Sequence, residues 1–185
     1  MLTEQEVKVV INAFKNAKAK WVVIGAHAVG AMTQPRATTD YDFIVQGSKI
    51  RQVIKLLEQH FGRDLDVEHI DAGVRLRAID IDIVSSSSHP IFQKTLDGSS
   101  KVEGWNIPSP EKLIVLKFMS AVSPWRGKRK RMQDVVDIQA VYTTFEPEEL
   151  DMEEMKELAS LVYPRAEKEF VRLLRKIDRG EPITL

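Results

Sequence analysis

Apolar residues recur at helical spacing from the start of the chain. Val7, Val10, Ile11 and Phe14 would share one face, and Thr3 with Glu6 has the form of a capping box, so residues 3–20 are expected to open the chain as a helix. Trp21-Val22-Val23-Ile24 is a continuous apolar run stopped by Gly25, which reads as a short buried strand. The small residues of Gly25 to Met32 suit a helix that begins directly after that strand and packs closely on a sheet. After a loop at Gln34 to Thr39, Ala37 to Val45 reads as a strand. Side chains alternate along a strand, so Asp40 and Asp42 would face one way and Tyr41 and Phe43 the other.

Ile50, Val53, Ile54, Leu57 and Phe61 predict an amphipathic helix over 48–61, ended by Gly62. Strands are expected at 65–70 and 74–78, joined by the turn Asp71-Ala72-Gly73. Ile79-Asp80-Ile81-Asp82-Ile83-Val84 alternates strictly, with isoleucines on one face and aspartates on the other. A short helix at 91–96 and a strand at 102–107, closed by Pro108, complete an α/β part over 1–107. From 108 to 185 the pattern is helical. Ser109 caps and Pro110 starts a helix carrying Leu113, Ile114, Leu116 and Met119; further helices are expected at 134–145, from the acidic stretch 146–157, and at 164–179 before Gly180.

Composition adds limits. Lys and Arg total 27 and Asp and Glu total 27, so attraction of an anionic partner must come from a local patch. There is no cysteine, which excludes disulfides and thiolate metal sites. No apolar stretch reaches membrane-spanning length and the N-terminus lacks signal-peptide form, so no membrane partner and a cytoplasmic location are expected.

The acids carry the chemistry. Two unit charges about 4 Å apart repel by about 4 kcal/mol at an effective dielectric near 20. Water can screen such a pair, or a divalent cation can neutralise it. Two acidic strands side by side would gather the oxygen donors that magnesium prefers. The helix start at Gly25 would offer free backbone N–H groups to phosphate, although close packing alone also accounts for the small residues.

In that order, Gly25-Ala26, then Asp40-Tyr41-Asp42, then Asp82 in Ile81-Asp82-Ile83-Val84, the sequence resembles the nucleotidyltransferase superfamily, the polymerase-β-like fold. Pro35-Arg36-Ala37-Thr38-Thr39, Pro108-Ser109-Pro110-Glu111-Lys112-Leu113, Lys117, and Lys130 or Arg131 with Asp134 and Asp137 look like one branch, the nucleotidyltransferase toxins of toxin–antitoxin and phage-defence pairs. The resemblance covers about residues 20–145 and departs from the family at Ala26, which lacks the usual hydroxyl or second glycine.

It implies an α+β fold: a nucleotidyltransferase-like mixed β-sheet with flanking helices, followed by a C-terminal helical region packed on the core. It implies transfer of a nucleoside monophosphate from a nucleoside triphosphate such as ATP to a hydroxyl acceptor. That acceptor is RNA (tRNA among the candidates), a protein or a small molecule. The alternative is a catalytically weakened protein that binds nucleotide or a partner. Asp40, Asp42 and Asp82 would be catalytic and would hold Mg2+; Gly25, Ala26, Arg36 and Lys117 would contact nucleotide; Lys128, Arg129 and Arg131 would contact acceptor or phosphate; Asp134 would stand behind them; an antitoxin protein is a candidate partner.

Overall fold

The computed structural model describes residues 2–102 and 104–183, so Glu103, within the strand expected at 102–107, lies outside the described residues. The chain divides into two units, Met1–Ala28 with Arg36–Pro108, and Val29–Pro35 with Ser109–Leu185.

The first unit is built on a mixed five-stranded sheet. Its strands are β1 (Trp21–Ile24), β2 (Tyr41–Val45), β3 (Val67–Ile70), β4 (Gly73–Leu76) and β5 (Ile81–Ser85). Their order is β1-β2-β5-β4-β3, with β2 and β5 parallel and the other neighbours antiparallel. Helix α1 (Glu4–Asn16) begins at Thr3, where the capping box forms, and buries Val7, Val10, Ala13 and Phe14. Phe14 stacks on Trp21 with ring centres 5.3 Å apart and meets the edge of Phe43 at 5.0 Å, which ties α1 to β1 and β2. Helix α2 (Gly25–Met32) follows β1 without a loop; α3 (Ile50–Phe61) ends at Gly62 in the left-handed conformation, φ 62°. Helix α4 (Pro90–Asp97) and the hairpin β6 (Ser100–Val102) and β7 (Trp105–Ile107) complete the unit. The observed fold is the expected α+β arrangement, a mixed sheet with flanking helices and then a helical region.

Two expected strands are shorter than their alternation suggests. β2 starts at Tyr41, not Ala37, because both neighbours run out there: β1 ends opposite Asp42 at Ile24, and β5 begins opposite Tyr41 at Ile81. Asp80 is not on β5. Arg77–Ile79 forms a 3-10 turn and Asp80 is left-handed, φ 51°, a conformation that aspartate tolerates better than most residues. Its carbonyl accepts the Tyr41 N–H at 3.0 Å, so the ladder begins from its backbone.

In the second unit, α5 (Pro110–Ala121) is capped by Ser109 and packs on α6 (Lys128–Tyr142) and α7 (Met152–Ser160); α7 packs on α8 (Ala166–Asp178). Phe118 and Phe170 meet edge to face at 5.1 Å in its core. Helix α6 begins six residues before the expected Asp134, so the basic residues Lys128 to Arg131 form its first turn.

Candidate active site

Where β1 gives way to α2, Gly25 has φ +67°, and a Cβ built on it would lie 2.0 Å from Asp42 Oδ2. Only glycine fits there, both for the backbone angle and for the space. The turn therefore holds the Asp42 carboxylate against the start of α2, whose first N–H groups have no partner within the helix. The Ala26 side chain is buried beside it, 8 % exposed.

Register fixes the neighbours of Asp42. It lies opposite Asp82 on parallel β5, and Asp82 lies opposite Arg75 on antiparallel β4. Adjacent strands are about 4.8 Å apart, so the two carboxylates start side by side. Arg75 resolves their repulsion by gripping Asp82 through both oxygens, Nε to Oδ1 at 2.7 Å and Nη2 to Oδ2 at 2.6 Å. Such a two-pronged bond is strong and directional. It holds the Arg75 guanidinium in its charged form more firmly than usual, with the Asp42 charge adding to the effect.

Asp40, just before β2, is exposed and accepts a short hydrogen bond from the Thr38 hydroxyl. His27, on the first turn of α2, stacks on Tyr41 with ring centres 3.8 Å apart and planes 6° from parallel. It hydrogen-bonds the Asp40 backbone, while its Nε2 is buried with no partner among the described residues. Burial lowers the His27 pKa below the usual histidine value; the Arg36 charge acts the same way and Asp40 opposes both. Arg36 is thus near enough to His27 for its charge to be felt.

The His27 shift has a consequence for stability. The unfolded imidazole titrates near 6.5 and the folded one lower. Between those values the unfolded chain holds the extra proton, so stability is full above about pH 6.5 and falls as pH drops through that window. Urea midpoints at pH 7.5 and 5.5 should differ in this direction, and the difference should shrink in His27→Gln.

Gly25, Ala26, His27, Asp42, Asp82 and Arg75 thus meet around one end of the sheet, with Asp40 and Arg36 beside them. The other named residues belong to the helical unit. Lys117 is buried, 7 % exposed, and its Nζ lies 3.2 Å from Asp134 Oδ1 and 2.7 Å from Asp137 Oδ2. Arg126 also grips Asp134, and Gln133 donates to Asp137 at 3.1 Å. Asp134 thus pairs with Lys117 and Arg126, while Arg131 donates to the Ala121 carbonyl at 2.8 Å. Lys128 and Arg129 are exposed on α6.

Arg75 was not singled out from the sequence, and Arg126 only as the first residue of the basic run 126–131, not as a partner of Asp134. The turn at 71–72 indicated the β3–β4 register, but the irregular stretch 77–80 hid the β4–β5 register that sets Arg75 against Asp82.

No protein-family model matches this sequence, and no curated protein matches it. Solved structures do. An antigenic nucleotidyltransferase-like protein from Paracoccidioides brasiliensis superposes with a TM-score of 0.57 at 18 % identity, over 98 % of this chain and 94 % of that one. The solution structure of the antibiotic-resistance factor ANT(2'')-Ia gives 0.58 at 16 % identity, over 95 % of both chains. The same factor, crystallised in complex with adenylyl-2''-tobramycin, gives 0.57 at 14 % identity, over 92 % of this chain and 98 % of that one. The likeness spans nearly the whole length on both sides, and the chain has the fold of these nucleotidyltransferases.

Proposed function

We propose that the protein is a magnesium-dependent nucleotidyltransferase that moves a nucleoside monophosphate from a nucleoside triphosphate to a hydroxyl acceptor on RNA, a protein or a small molecule. The observation that carries this reading is Asp42, held against the start of α2 by Gly25 and set beside Asp82 by register.

The donors are carboxylate oxygens, which suit Mg2+. Among the described residues no three acidic or imidazole side chains form a metal-holding group, and Asp82 is taken by Arg75. With Asp82 engaged by Arg75, Asp40 and Asp42 would be the residues that hold the ion. When bound, Mg2+ would neutralise phosphate charge in the transition state. The backbone N–H groups from Gly25 onward would face the phosphates, and Arg36 would add a cation. The acceptor oxygen forms a bond to the α-phosphorus, the bond to the β-phosphate oxygen breaks, and pyrophosphate leaves. Asp82 would take the hydroxyl proton; Arg75 holds its carboxylate aimed until an acceptor arrives. Lys117 would serve the helical unit, since two carboxylates already engage it.

Incubating the protein with α-labelled nucleotides, Mg2+ and RNA, protein or aminoglycoside acceptors tests this. Label transfer is expected, reduced by about 10²-fold or more in Asp42→Asn, since removing one charge-stabilising group typically has that effect. A second reading has its own support. Ala26 offers no hydroxyl, and Arg75 occupies Asp82, as suits a protein of this fold that binds nucleotide or a partner without turnover. Nucleotide binding by calorimetry with no pyrophosphate release from any acceptor would favour it. The motif around Lys117 to Asp137 supports a toxin-like role with an antitoxin partner in the cytoplasm, which co-purification with the neighbouring gene product would test.

Arg75 offers a direct check on the metal. The pair is partly exposed, with side-chain accessibility of 47 % for Arg75 and 17 % for Asp82, so Arg75→Gln should cost about 1 kcal/mol of stability or less. It should also increase the rise in melting temperature produced by Mg2+, because a third carboxylate becomes available. An unchanged response would mean that Asp82 does not join the ion even when released from Arg75.

A further inference from the structure

The turn between α5 and α6 carries a feature that folding does not require. Trp125 is 89 % exposed, although tryptophan is the side chain with most to gain from burial. Lys128, Arg129 and Lys130 follow on the first turn of α6, all exposed and, among the described residues, without an ion pair. Cations there oppose the helix dipole, and no side chain caps that end. The two arginines flanking these groups behave differently. Arg126 is anchored on Asp134 and its backbone N–H on the Ser123 carbonyl at 3.2 Å, while Arg131 is anchored on the Ala121 carbonyl at 2.8 Å. The run is thus divided: its ends fasten the segment to the helical unit, and its middle presents one flat aromatic face and three cations to water.

We propose that this segment is a docking surface for single-stranded RNA, with Trp125 stacking on an unpaired base and Lys128, Arg129 and Lys130 contacting backbone phosphates. An exposed planar ring followed within five residues by three exposed cations matches a ligand whose repeating unit is a flat base joined to a phosphate. A duplex keeps its bases stacked on one another and offers the ring no free face. The choice of RNA rests on the transfer reading above, in which RNA is one of the proposed hydroxyl acceptors.

The test is fluorescence anisotropy of a labelled, unstructured 12-nucleotide RNA with the full chain, without nucleotide or Mg2+, across a salt series. Wild type should bind. Trp125→Ala should bind about tenfold more weakly, from the usual contribution of one stacked base. The variant Lys128→Gln/Arg129→Gln/Lys130→Gln should bind more weakly with a salt slope shallower by about 2, because each single-strand phosphate contact contributes about 0.7. Both should keep the wild-type circular dichroism spectrum, because the altered side chains are exposed. Equal competition by duplex RNA or by single-stranded DNA overturns the assignment. So does wild-type affinity in either variant, or tighter binding to phosphatidylglycerol vesicles or polyglutamate than to the RNA. RNA binding without any label transfer would uphold this surface while the transfer reading fails; transfer to another acceptor with no RNA binding would do the reverse.

Discussion

Lys117→Met should lower stability by about 3–5 kcal/mol, the usual effect of breaking a buried ion pair from one side. Lys117 is the central cation of a buried cluster, and Asp134 and Asp137 are 1 % and 2 % exposed. Removing its charge takes from Asp137 the cation 2.7 Å away, in buried surroundings that penalise a carboxylate deprived of its counter-charge. For a chain of this size the melting temperature should fall by roughly 6–20 °C, at about 2–4 °C per kcal/mol. Most of that loss reflects stranded charge rather than intrinsic strength of the pair. The triple variant Lys117→Met/Asp134→Leu/Asp137→Leu should therefore recover most of it, since a well-packed apolar replacement of a whole buried cluster is often neutral. If Lys117→Met unfolds with wild-type midpoint, the cluster is not the clamp between α5 and α6.

The second large effect is on activity. Gly25→Val should lower the transfer rate by about 10²-fold or more, the scale expected when a reacting group is displaced by about 1 Å. A side chain at Gly25 cannot coexist with Asp42 Oδ2 at 2.0 Å, so the carboxylate must move. The left-handed backbone adds a cost of about 1–3 kcal/mol for a branched residue. Clash and backbone strain are separable. Gly25→Ala should destabilise the wild type more than it destabilises Asp42→Gly, and the difference measures the clash as a coupling energy. Equal losses in both backgrounds would mean that Asp42 does not press on the turn.

Much of the sheet was legible from the sequence because each element is locally consistent. Thr3 with Glu6, the apolar run ending at Gly25, the face Val53–Leu57 and the turn before Gly73 all act within a few residues. Tertiary terms were hidden. Ile79-Asp80-Ile81-Asp82 alternates perfectly, yet only Asp82 is on the strand, because Asp80 turns left-handed to start the ladder with Tyr41. Helix α6 starts at Lys128 rather than at the expected Asp134: four basic residues in a first turn oppose the dipole, and packing of α5 on α6 overrides that preference. The Asp42–Asp82–Arg75 row depends on register between strands distant in sequence, which no local pattern records.

The placement of the three tryptophans decides how unfolding must be watched. Trp21 is buried and stands edge to face with Trp105 at 6.4 Å, both in the sheet unit. Trp125, the one in the helical unit, is already in water. Intrinsic emission will change when the sheet unit melts and stay nearly silent when the helices do. A variant such as Lys117→Met, which loosens the helices, would look unaltered by fluorescence while losing ellipticity at 222 nm. Disagreement between the two optical signals would then measure how independently the units unfold.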